Sequence, residues 1–233
     1  TTLSRPVASL TGEGSSIGIS DGTFSSATLS AYKYALISQA SAELVSDNSA
    51  DVVNYIGRIA GDALNLALTD AVTNGTGAGQ PEGVMTGTVG KTLDVAGVVT
   101  ADNCLEWFYS LPAEERDGGV FYFSDTMALA LRKLKGTDDH YIWQQGLSAD
   151  EPDRFLGKPV ITGSAAPTFD TTASAVLGAF FNPSGTMLRV AGGLTAERSN
   201  EFAWQEDLIS WKWRMRADSR IVRPNSIATL VNP

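Results

Sequence analysis

His140 and Cys104 are the single histidine and the single cysteine of the chain, and together they bound the chemistry it can hold. Nucleophilic catalysis needs a base held against the nucleophile. His140 stands instead beside Asp138, Asp139 and Tyr141, the setting of a surface turn. Cys104 adjoins Leu105 on an amphipathic stretch, where a small buried hydrophobe is expected rather than a reactive thiolate. One cysteine excludes a disulfide within this chain, and one cysteine with one histidine cannot build a zinc site of Cys and His ligands alone. Glu114-Glu115 follow Pro112 and read as a solvated charge pair, not an acid/base dyad. Asp138-Asp139 lack the further spaced oxygens of a calcium loop. The run Gly75 to Gly79 mimics a phosphate loop, but it follows a helix and lacks the Gly-Lys-Ser/Thr continuation, so a cap and turn are expected. No cofactor, metal or catalytic residue is expected.

Charge is the remaining chemistry. The chain carries 17 basic and 26 acidic groups, a net −9, unevenly spread. Residues 1–100 hold 4 positive against 9 negative, residues 101–188 hold 6 against 12, and residues 189–233 hold 7 against 5. An acidic chain with a mildly basic end argues against phosphate binding as the main source of affinity. It suits self-association through complementary patches. With 43% apolar and 18% charged residues, 233 positions suffice for one large domain or two small ones with a proper core. The longest uncharged run, Thr171 to Leu188, contains Asn182, Pro183 and several hydroxyl residues, so no membrane span is expected. No signal peptide opens the sequence and no internal repeat runs through it.

Periodicity shows which elements would position these groups. Between Asn48 and Gly75, Val52, Ile56, Ile59, Ala60, Ala63, Ala67 and Ala71 recur at steps of three and four, one face of a helix. Asn48 or Ser49 supplies a cap, Asp51 suits the positive end, and Asn74-Gly75 a left-handed stop. At roughly 1.5 Å per residue such a spine would be about 40 Å long. Gly57, Ala60, Gly61 and Ala63 leave its middle open to close packing.

Before the spine, residues 1–10 with Pro6 predict an extended arm. Ile17 and Ile19 alternate on one side of Asp21-Gly22 and residues 28–35 on the other, which predicts a long β-hairpin. Its polar composition cannot cover a core, so it is expected to order on a neighbouring subunit. Residues 37–45 predict a short helix leading into the spine. Residues 100–112 predict a helix capped by Thr100 or Asp102, with Leu105, Phe108 and Leu111 on one face. Val120 to Phe123 reads as a buried strand, and Ser124-Asp125 cap a helix over Thr126 to Lys135. Strands are expected over 154–163, through Gly157 and Pro159, and over Ala175 to Phe180. Leu208 to Arg216 alternates, with Ile209, Trp211, Trp213 and Met215 on one side and Lys212, Arg214 and Arg216 on the other: a half-buried strand with a basic face. Trp107 and Trp143 are expected in the core, with Trp204, Trp211 and Trp213 around the terminal strand. The acidic remainder of the chain favours that over stacking on nucleotides.

Taken in order, these segments resemble the major capsid proteins of tailed bacteriophages with the Hong Kong 97-like shell fold. The resemblance rests on a Gly-Glu-bearing hairpin before the spine, ISQASAEL, the spine itself, and NGTGAGQPEGVM from Asn74. It continues through SDTMALALRKLKG, YIWQ, FLGKPVI and a closing RxxxRIVRPNSIATL. The family's Gly-x-Gly-x-x-x-Pro-x-Gly after the spine is matched by Gly75, Gly77, Pro81 and Gly83. Order and spacing hold over residues 11–231.

The resemblance implies an α+β, Hong Kong 97-like capsid fold. Its parts would be an N-terminal arm (1–10), an extended hairpin loop (11–33), a peripheral domain with the spine (34–86 and 187–216) and an axial domain (87–186 and 217–233). It implies a structural protein, not an enzyme, assembling as hexamers and pentamers into an icosahedral shell around packaged double-stranded DNA. The expected location is the virion, and the host cytoplasm during assembly; scaffold, protease, portal and decoration proteins are implied partners, a membrane is not. Some family members join a hairpin-loop lysine to a neighbour's asparagine with a glutamate as base. Here the tip has no lysine, and Asp207 and Arg214 stand near where the Asn and Glu would fall, so non-covalent contacts are expected. Members are often made with a scaffold segment later cleaved, which the opening Thr1-Thr2-Leu3 fits.

On charge, the hairpin with Glu13 and Asp21 is expected to lie on a neighbour's strand face bearing Lys212, Arg214 and Arg216. Exposed pairs contribute only about 0–1 kcal/mol each, so their role would be register more than strength. Asp51, Asp62 and Asp70 on the spine mean the wall need not grip DNA, and no sequence-specific binding is expected. Two other readings stand beside this one. An encapsulin-like cellular nanocompartment would differ in DNA content; a small Ser/Lys hydrolase would be a small oligomer active on ester probes, and no spacing supports it.

Overall fold

The computed structural model describes residues 8–21, 26–47, 49–87, 89–95, 99–135, 143, 153–170 and 175–232, without the side chains of 49–51 and 175. His140, the residues 1–7 of the arm and the Asn48 or Ser49 cap side chain lie outside this set. The order of elements is β1 (Tyr32–Ser41), α1 (Ala42–Asp47), α2 (Ser49–Asn74), β2 (Lys91–Asp94), α3 (Ala101–Ser110), α4 (Ala113–Arg116), β3 (Val120–Phe123) and α5 (Asp125–Arg132). It ends with β4 (Arg154–Phe155), β5 (Lys158–Thr162), β6 (Ala175–Phe181), β7 (Thr186–Ala203), β8 (Leu208–Ile221) and β9 (Ile227–Asn232).

Two sheets organise these elements. The first is antiparallel, in the order β1-β8-β7, and the spine α2 lies across it. β8 sits in the middle, and its alternation is as expected: Ile209, Trp211 and Trp213 are buried with Ala40, Val45, Ala60 and Leu64. Gly57 lets the Trp213 ring approach the helix, since a Cβ there would meet its Cη2 at 3.3 Å. The buried stripe of the spine is turned from the expected one. Val53, Ile56, Ala60 and Leu64 face the sheet, whereas Ile59, Ala63 and Ala67 are exposed. Bulk decides the rotation, because burying Leu64 removes more apolar area from water than burying Ala63.

The second sheet is mixed, in the order β2-β9-β6-β3-β5-β4, with β2/β9 and β3/β5 parallel. Its core joins Trp107, Phe121, Phe123, Leu131, Leu177, Phe180 and Leu230, with Trp143 packed in as expected. Helix α3 opens on Thr100, whose hydroxyl accepts from Asn103 N–H while the Asn103 side chain accepts from Thr100 N–H, a capping box. Its buried face carries Cys104, Trp107 and Leu111; Leu105 is exposed. The expected face shifts because the Trp107 indole donates to Ala228 O at 3.0 Å and packs edge-on to Phe121. Ser124 caps α5 by accepting from Met127 N–H.

Two further expectations are corrected. Residues 8–21 and 26–31 form no strand, so the two limbs of the expected hairpin are not laddered to each other. Leu10, Ile17 and Ile19 stay exposed, with no apolar face of their own to build a hairpin on. Only the end of the second limb, from Tyr32, becomes strand, and it pairs with β8 rather than with residues 17–19. Residues 37–41 continue that strand instead of opening a helix: their alternation puts Ala40 into the core, and the helical turn begins only at Ala42.

Cys104 is the small buried hydrophobe expected. Burial pushes its thiol from an ordinary 9.0 up to about 12. A raised thiol pKa favours the neutral form, so this contribution to stability is complete below about pH 9 and fades toward pH 12. Iodoacetamide near pH 8 should therefore leave Cys104 unmodified in the folded chain and alkylate it readily in denaturant, as read by mass spectrometry. Equal rates in the two states would contradict the packing.

Candidate intersubunit surface

The loop after the spine locks the first sheet to the rest. Gly75 N–H donates to Ala71 O, Gly77 N–H to Pro81 O, and Gly83 N–H to Gly75 O at 2.7 Å, while Thr76 and Glu82 form an isolated antiparallel bridge. Gly75 does not take the left-handed stop expected of Asn74-Gly75; Gly77 and Gly79 hold the positive φ. Gly75 is required for another reason, since a Cβ there would lie 2.2 Å from Pro81 O. The Asn74 amide turns outward to Asp70 and to Ala165 O. Pro81 is fully buried, and Glu82 accepts from Ile221 N–H, pairs with Arg220, and exchanges bonds with Ser219. This run cradles its own helix end and β8; it is a brace, not a phosphate loop.

On the outer face of the first sheet lie the expected basic residues. Lys212 and Arg214 converge on Glu197 of the paired strand β7, with Lys212 Nζ 3.3 Å from Glu197 Oε2 and the Arg214 guanidinium on Oε1. Arg214 also donates to Thr195 Oγ1. Arg216 has no ion pair among the described residues. It stands opposite Ala191 on one side and Lys33 on the other. Glu13 and Asp21 are exposed and likewise make no ion pair among the described residues. The structure thus brings Lys212, Arg214 and Arg216 onto one face, and leaves the two acidic residues outside the reach of that face in their own chain.

Sequence reasoning missed Glu197, because β7 has no apolar alternation to announce it. β7 is an edge strand, eighteen residues long and exposed along nearly its whole length on both faces. Met187, Leu188, Val190, Leu194 and Phe202 all stand in solvent, and Trp204 follows just beyond, 79% exposed at the hairpin tip. Its expected place around the terminal strand holds in sequence but not in burial. Register shifts after Ala191 and Ser199 mark bulges, which blunt an open edge against uncontrolled pairing.

The base of the extended segment is pinned from below. Ser30 N–H donates to the buried Asp218 carboxylate, and Arg189, across the ladder from Asp218, donates to Leu29 O at 2.8 Å. Burial, then the carboxylates of Asp218 and Asp70, hold the Tyr34 phenol above its ordinary value. A third polar cluster corrects the reading of Glu114-Glu115: Glu115 is not a solvated charge but accepts from the Asn182 amide and pairs with Arg223 at 2.8 Å. Among the described residues no group of His, Cys, Asp and Glu could hold a metal ion, and no helix is long and apolar enough to cross a membrane.

What this surface offers is contact area, not convergent reactive groups. Solved capsid structures match it along the whole chain. The capsid of an empty GTA particle with C5 symmetry superposes with a TM-score of 0.83 at 22% identity, over 100% of this chain and 83% of that one. The native GTA particle capsid gives the same values. Gordonia phage Cozz matches with a TM-score of 0.69 at 16% identity, covering 100% of this chain and 80% of that one. These likenesses show the fold, which is Hong Kong 97-like and mixes helix with sheet. No curated protein matches the sequence. The family model described as the phage capsid family matches residues 1–232, and by that match the chain belongs to the phage capsid family.

Proposed function

We propose that this major capsid protein assembles as hexamers and pentamers into an icosahedral shell around double-stranded DNA, held by non-covalent contacts and carrying no enzymatic activity. The division into arm, extended loop, peripheral domain and axial domain described above belongs to this proposal, as does assembly in the host cytoplasm. One observation carries it: the single chain leaves Leu10, Ile17 and Ile19 and both faces of β7 without cover. An exposed apolar set this large marks a contact surface. Obligate interfaces commonly bury about 2,000 Å² or more, and repeated copies of such a contact supply the strength that exposed ion pairs lack.

Packaged DNA would meet a wall with little affinity for phosphate. Asp62 and Asp70 are exposed on the spine and the chain is acidic overall, so loading would depend on an outside motor rather than on binding. The expected result for the expressed chain is closed, uniform shells by negative-stain electron microscopy. In phage lysates the same shells should hold nuclease-protected DNA. Shells filled with protein cargo and free of DNA would favour the nanocompartment reading, and a small oligomer active on ester probes would favour the hydrolase.

A further inference from the structure

A notch opens on the outer face of the first sheet, about 350 Å³ in volume, lined among others by Lys33, Gly192, Gly193, Thr195, Arg214 and Arg216. Lys33 and Arg216 are direct partners across β1 and β8. Like charges set opposite each other on adjacent strands destabilise a sheet unless something neutralises them. Arg214 and Lys212 have Glu197; Lys33 and Arg216 have no hydrogen-bond or ion-pair partner among the described residues. Gly192 and Gly193, with φ of 79° and 66°, bow β7 away at this point, and the Arg216 guanidinium lies 3.9 Å from where a Gly192 Cβ would project. The notch is therefore cationic at its centre, and that charge is uncompensated.

We propose that this notch receives the Glu13 carboxylate of a second copy of the chain. Glu13 sits at the corner of a tight turn: Ser15 N–H donates to Gly12 O at 3.1 Å, and Gly14 takes φ of 77°, which only glycine adopts freely. The turn holds the carboxylate outward, and exposed Leu10 and Ile17 flank it. An exposed carboxylate on a fixed turn complements two uncompensated cations. The inference rests on the shell reading and adds the contact that sets the register of the extended segment on its neighbour.

Zero-length carbodiimide coupling of wild-type shells tests it. An amide between Glu13 and the Lys33 Nζ, found by peptide mass spectrometry in a species of twice the chain mass, is the expected product, and Lys33→Gln should abolish it. In parallel, Glu13→Arg and Arg216→Glu should each cut the yield of shells at least tenfold, and the double exchange should recover most of it. Coupling only within a single chain, no Glu13–Lys33 product, or a double exchange no better than either single change would overturn the notch while leaving wild-type shells, and so the shell reading, intact. A wild-type chain that forms no shells would overturn both.

Discussion

Gly83→Ala is expected to destabilise the fold severely. A Cβ at this position would lie 2.5 Å from both Gly75 N and Thr73 O, and 2.7 Å from Thr73 C, all of them backbone atoms that no rotamer change can move aside. The same stretch closes the end of the spine, with Gly83 N–H donating to Gly75 O, Val84 N–H to Val72 O and Met85 N–H to Thr73 O. Relieving the overlap means separating strands of backbone and losing these bonds together. Overpacking alone costs roughly 1–3 kcal/mol, and each of the three lost bonds adds about 1 kcal/mol, so about 4–6 kcal/mol is expected. That is a large share of the roughly 5–15 kcal/mol that holds a domain folded. Gly79→Ala is the control: its φ of 73° is left-handed but nothing lies within 4 Å, so only the conformational cost of about 1–2 kcal/mol applies. Thermal melts by circular dichroism should separate the two variants clearly. Similar melting temperatures would mean that the loop yields, and that the brace is not what fixes the end of the spine.

Trp107→Ala should cost nearly as much, about 3–5 kcal/mol, in the range of buried aromatic truncations. Trp107 is fully buried between α3 and the second sheet, with its ring centroid 5.0 Å from that of Phe121. Its indole N–H satisfies Ala228 O on β9, and Gly178 leaves room for the ring edge. Trp107→Phe keeps most of the packing and loses the bond, so a smaller loss of about 1–3 kcal/mol is expected. Urea denaturation midpoints would check the order of the three proteins. Equal midpoints for the Phe and Ala variants would place the loss in the hydrogen bond rather than in the cavity.

These two sites show what the sequence could and could not convey. Where one face is buried and the other wet, periodicity reads true: the spine is found within a residue of its ends, and β8 shows Trp211 and Trp213 inward with Lys212 outward. Where burial is set by a distant partner, it does not. Leu105 lies in phase with Phe108 and Leu111, yet the Trp107 bond to β9 turns α3 so that Leu105 faces solvent. β7 was silent because a strand exposed on both faces has no pattern to read, and with it went Glu197, the partner of Lys212 and Arg214. The Asn74-Gly75 pair predicts a left-handed stop, yet it is closeness to Pro81 O that excludes a side chain at Gly75. Alternation at Ile17 and Ile19 predicts a ladder that the single chain does not form.

The central claim is that a single copy of this shell protein leaves residues 8–21 uncovered and that other copies cover them. Hydrogen exchange of those backbone amides, compared between the unassembled chain and purified shells, tests it most directly. Among the described residues, Ser15 N–H donates within this stretch, to Gly12 O. Exchange should be near the free-peptide rate in the unassembled chain and slowed at least tenfold in shells, while the amides of β3 and β6 stay protected in both. Amides of 8–21 that exchange equally fast in the two states, or that are already protected in the lone chain, would contradict it.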